Sequence, residues 1–134
     1  MNLARLDRLV DNLRRHKGKI ILANAAVLLA ASWLPASFMV RTQTLPGQVE
    51  HALAYFVIGI CVTVVLQGQR SPPFIAACCV AYAAVLELGQ VLVPGRHAAL
   101  IDFAASTAGA LAGVAVGAIL GVAYCRMRGE AASI

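Results

Sequence analysis

Charge is scarce in this chain. Of its 134 residues 13% are Asp, Glu, Lys or Arg, and only 6 are acidic. A soluble domain carries about 25% charged residues, so the composition excludes an ordinary soluble enzyme. Long polar stretches and low-complexity linkers are missing too, and with 60% apolar residues the chain is no candidate for disorder. Aromatics are few, with a single tryptophan, Trp33. No two cysteines form a CxxC pair: Cys61, Cys78, Cys79 and Cys125 all lie in apolar runs. They read as small hydrophobes rather than as disulfide partners or metal ligands. Neither a metal nor a cofactor is expected. The basic excess of +5 does not point to nucleic acid, because the positive residues bunch at the two ends and leave the middle apolar.

What the chain does have is apolar length. A helix needs about 20 apolar residues to cross the hydrocarbon core. Four windows fit: Ile20–Val40, Ala52–Gln67, Pro73–Val93 and Ala98–Cys125. The second is about 24 Å long at the helical rise and is adequate if it starts a turn earlier. The links between windows are short, which makes neighbouring helices antiparallel. The expected fold is all-α: an up-down bundle of four transmembrane helices over 20–125, preceded by a basic segment (1–19) and followed by a short tail (126–134). The first window is read as a retained helix, since it exceeds the 7–15 residues of a signal-peptide core. Pro35 is expected to kink it, and Trp33 to anchor it at the interface.

Orientation follows from the basic residues. With the N-terminus inside, Arg5, Arg8, Arg14, Arg15, Lys17, Lys19, Arg70, Arg126 and Arg128 are cytoplasmic, and only Arg41 and Arg96 are outside. Nine against two is a positive-inside bias, which predicts both termini in the cytoplasm. Leu3, Leu6, Val10 and Leu13 recur at helical spacing among basic residues. They predict a short amphipathic N-terminal helix at the inner headgroup surface, the alternative being a solvated basic tail.

Ionisable residues inside membrane spans are costly and point to function. In this topology they share the outer leaflet. Glu50 and His51 open the second helix, and Tyr55 follows His51 at i+4 on the same face. Glu87 and Gln90 share a face of the third helix, roughly 9 Å below its outer end. The loop Pro94-Gly95-Arg96-His97 follows, and Asp102 enters with the fourth helix, Ser106 one turn deeper. Arg96 is expected to pair with Glu87 and Asp102 through its bidentate fork. The cluster reads either as an outward polar cleft for a headgroup or anionic ligand, or as a staple holding the loop, with Glu50, His51 and His97 among headgroups. On the fourth helix Gly109, Gly113, Gly117 and Gly121 recur every four residues. Such a stripe lets another helix approach closely, inside the bundle or in a homo-oligomer.

From Val49 to Leu120 the sequence resembles the VanZ-like family of small bacterial membrane proteins. The resemblance rests on Glu50-His51 followed by Tyr55, on Glu87-Leu88-Gly89-Gln90 running into Pro94-Gly95-Arg96, and on Asp102 followed by Gly109 and Gly113. Ser106 departs from the family's frequent asparagine and offers one donor where an amide offers two. The resemblance implies an inner-membrane protein with an outer polar site. It supplies no reaction; the family's namesake is associated with lower susceptibility to teicoplanin. Three functions are expected to compete. The first is binding of a lipid headgroup, lipid-linked envelope precursor or anionic group. The second is acid–base catalysis on a lipid-linked substrate, although no HExxH, paired aspartate or nucleophile elbow is present. The third is a structural membrane subunit packing through the glycine stripe. A transporter fits least, without an inverted repeat.

Overall fold

The computed structural model describes residues 3–34 and 46–129. The kink expected at Pro35, Arg41 and the last residues of the tail lie outside them. The described chain is helical, with α1 over Leu3–Arg15, α2 over Lys17–Trp33, α3 over Gly47–Leu66, α4 over Pro72–Gly89 and α5 over Leu100–Met127. A 3-10 turn, Gln90–Leu92, extends α4.

Each boundary has a local cause. Leu34 leaves the helix with φ −65° and ψ 133°, the extended conformation favoured before proline. Pro72 and Pro73 start α4, where a missing N–H costs nothing and the fixed φ is already helical. Gly68 turns between α3 and α4 at φ 74°. The second span starts at Gly47, more than a turn before the apolar run, and so gains the length that the run alone lacked.

Among the described residues three helical segments are long and apolar enough to cross a membrane: Gly47–Leu66, Pro72–Leu92 and Leu100–Met127. α2, at 17 residues, is about 25 Å long, short of the roughly 30 Å hydrocarbon core. Helices α2 to α5 nevertheless alternate in direction. Lys17, at the start of α2, donates to Gln69 in the α3–α4 link. At the other end Trp33 Nε1 donates to Leu86 O of α4 at 3.3 Å. The Trp33 ring also lies over Gly89, where a Cβ would come 2.7 Å from the indole nitrogen. The expected interfacial anchor is therefore held against α4. Midway, the Tyr82 hydroxyl donates to Ala25 O at 2.7 Å.

The closest approach is α3 against α5. A Cβ on Gly109 would strike Ala52 O, and one on Gly113 would strike Phe56 O. From the other side, a Cβ on Gly59 would lie 2.8 Å from Ala110 O. Backbone meets backbone here because α5 carries no side chain at Gly109 and Gly113, and α3 none at Gly59. Beside it Leu28, Tyr55, Ala83, Leu86 and Ala110 form a core drawn from all four long helices.

α1 is amphipathic. Val10 is buried and Arg5, Arg8 and Arg15 are exposed. The Tyr124 hydroxyl of α5 donates to Asp7 Oδ1 at 2.8 Å, and Arg128 Nε stands 3.9 Å from the same oxygen. This ties the first helix to the end of the last.

Candidate functional site

At the end of the bundle where α4 stops and α5 begins lies a recess of about 170 Å³. Its polar lining is Ser32 of α2, Glu50, His51 and Tyr55 of α3, Glu87 of α4, Gln90 of the turn after it, and Ser106 of α5. Helical spacing brings these residues together. His51 and Tyr55 stand one turn apart on α3, and Glu87 and Gln90 stand three residues apart at the end of α4. Leu28, Ala31, Ala54 and Leu86 complete the wall. Among the described residues the lining includes two carboxylates and neither lysine nor arginine.

Glu87 is 7% exposed and Gln90 3%. Glu87 Oε1 accepts the backbone N–H of Ala99 at 2.6 Å, and Oε2 accepts from Gln90 Nε2 at 3.4 Å. Ala99 is the N-cap residue of α5, so the carboxylate of α4 receives a backbone donor at the positive end of the next helix. Gln90 Nε2 also lies 3.1 Å from Ser32 Oγ, and Ser32 Oγ lies 3.5 Å from Leu86 O. A polar string thus runs from α2 through α4 to α5. The hydroxyls of Tyr55 and Ser106, residues 5% and 3% exposed, differ from this string. They line the recess and meet no hydrogen-bond partner among the described residues.

Six of the eight polar residues expected from the sequence line the recess; Arg96 and Asp102 do not. The expected pairing of Arg96 with Glu87 and Asp102 is not formed. Pro94-Gly95 makes a tight turn, with Gly95 at φ 78° and Arg96 N–H on Val93 O at 3.1 Å. The turn sends the Arg96 guanidinium to the end of α2, where Nη2 donates to Ala31 O at 2.8 Å and Nε to Leu34 O at 3.2 Å. A helix C-terminus presents unpaired carbonyls and the negative end of the dipole, and these accept from a guanidinium in place of a carboxylate partner. Asp102 stands in the first turn of α5, where its charge suits the dipole, and its buried Oδ1 has no hydrogen-bond partner among the described residues. His97 belongs to the exposed loop around Arg96.

Ser32 is the recess residue that sequence reasoning missed. The signal was present, since a hydroxyl near the outer end of the first apolar window is a polar group inside a span, yet it reads equally as one more small residue. Among the described residues no cluster of three or more His, Cys, Asp or Glu could hold a metal ion.

The arrangement can hold a small polar group within reach of two uncommitted hydroxyls, at one end of the bundle. The model of the VanZ/LLP1 family matches residues 9–123, and the chain belongs to that family. Together with the three apolar helices, this marks it as a membrane protein. No curated protein and no solved structure matches the chain.

Proposed function

We propose that the protein is a four-span inner-membrane protein, with both termini in the cytoplasm, whose recess opens to the outer leaflet and binds the polar head of a membrane or envelope lipid. One observation carries this reading: polar side chains from four helices converge on a single recess. A bundle that needed only to span and pack would gain nothing from such convergence, because buried polar groups cost free energy unless they are partnered.

The basic residues supply the orientation, since nine of eleven fall at the opposite end or in the segments flanking it. The glycine stripe of α5 faces α3 of the same chain, which favours a lipid-binding role over a subunit that recruits its partner through that stripe.

Two measurements test the reading. His97→Cys, in a chain whose four native cysteines are replaced by serine, is expected to react with a membrane-impermeant maleimide added to intact cells. Labelling confined to inverted vesicles would move the recess to the cytoplasm and overturn the reading. Gln90→Leu, expressed at wild-type level, is expected to change susceptibility to lipid-targeting envelope antibiotics at least fourfold.

A further inference from the structure

We propose that the recess and an apolar notch beside it together hold one single-chain amphiphile, whose head is an uncharged polyol about the size of glycerol. The inference deepens the reading of the recess as a lipid-binding site and rests on it.

The head is defined by which groups remain uncommitted. Glu87 already accepts from Ala99 N–H and from Gln90, so its charge is engaged. Tyr55 and Ser106 are residues more than nine-tenths buried whose hydroxyls line the recess and are not engaged within the protein among the described residues. A hydroxyl both donates and accepts, so a partner that satisfies two of them must do the same. A fully ionised anion only accepts, and here it would face the Glu87 carboxylate with neither lysine nor arginine among the described lining residues. An ammonium only donates, and it would leave both hydroxyl protons without an acceptor. A ligand hydroxyl meets both demands. The recess of about 170 Å³ has room for several waters, which suits a three-carbon polyol.

The chain is placed by the notch. A second cavity of about 260 Å³ lies between α4 and the start of α5, walled by Ala84, Leu88, Ala98, Leu100 and Phe103 and by Glu87. Glu87 is therefore common to both compartments. Leu88 and Leu100 are 69% and 88% exposed, so the notch opens sideways, where a bilayer supplies acyl chains. An amphiphile whose head sits in the recess would lead its chain over the Glu87 wall into this notch.

The test uses the full-length protein in nanodiscs, with binding read from the fluorescence of the single tryptophan, Trp33, which stands against Leu86 of the recess wall. The probes share one chain: 1-O-hexadecylglycerol, hexadecyl phosphate and hexadecylamine. Free glycerol is the chainless control. The alkylglycerol is expected to bind at least tenfold more tightly than either charged probe and than free glycerol. Tyr55→Phe and Ser106→Ala, which remove only a hydroxyl, should each weaken it at least fivefold. Ala84→Phe should weaken it at least fivefold by filling the notch, with Ala98→Phe, on the exposed loop, as a second variant.

Equal or tighter binding of the phosphate or amine, still weakened by the hydroxyl variants, overturns the polyol head and leaves the recess standing as a binding site. Binding unmoved by both notch variants overturns the chain's placement. Fluorescence that responds to none of the probes means that water alone fills the recess, and overturns both this inference and the reading beneath it.

Discussion

Glu87 serves α5 from outside that helix. Its Oε1 receives the Ala99 N–H at 2.6 Å, a donor that would otherwise face the interior of the bundle. Removing one partner of a buried hydrogen bond costs about 1–3 kcal/mol, so Glu87→Ala should lower unfolding stability by about that much in detergent-solubilised protein. Glu87→Gln keeps an acceptor oxygen and should lose less. Tyr55→Phe and Ser106→Ala should behave differently, leaving the melting temperature of the ligand-free protein nearly unchanged, because each removes a hydroxyl that lines the recess and breaks no hydrogen bond within the protein. At this scale the i, i+3 and i, i+4 spacings of Glu87–Gln90 and His51–Tyr55 were legible, since they depend on helix geometry alone. The destination of Arg96 was not. Its acceptors are the backbone carbonyls of Ala31 and Leu34, and every residue has a carbonyl, so nothing in the sequence marks those two.

The helices themselves were legible from apolar length, and their limits followed from particular residues: Pro72 for the start of α4 and Leu34 before a proline for the end of α2. What the periodicity of α5 could not reveal was its neighbour, because a stripe without side chains fits any backbone. The neighbour is α3, whose own Gly59 sits at the crossing. This contact predicts a graded series. Gly109→Ala and Gly113→Ala place a methyl on the carbonyls of Ala52 and Phe56, and should cost about 1–3 kcal/mol or more through overpacking. Gly121→Ala meets only the end of the Gln67 side chain, which can swing aside; a helix-propensity gain of up to about 1 kcal/mol over glycine offsets the remainder. Thermal unfolding of the three variants checks the order.

Over the whole molecule, polarity divides between the two ends. One end holds the recess. The other is closed by α1, through Asp7, Tyr124 and Arg128. The amphipathic pattern of α1 was readable in Leu6, Val10 and Leu13. Its docking on α5 was not, since Asp7 and Tyr124 lie 117 positions apart. Tyr124→Phe removes the hydroxyl that donates to Asp7. It should raise hydrogen exchange of the α1 amides about fivefold, as a loss of about 1 kcal/mol implies, while exchange in the α3–α5 pair stays as in wild type.

The α3–α5 crossing also dictates a schedule for synthesis. Gly109 and Gly113 each follow their partners on α3, Ala52 and Phe56, by 57 residues. At about 5–20 residues per second, the nascent α3 waits roughly 3–11 s with its bare ridge uncovered. A chain arrested before its last helix would present that ridge to insertion and quality-control machinery, so truncations ahead of Gly109 should be cleared rapidly while the finished protein persists.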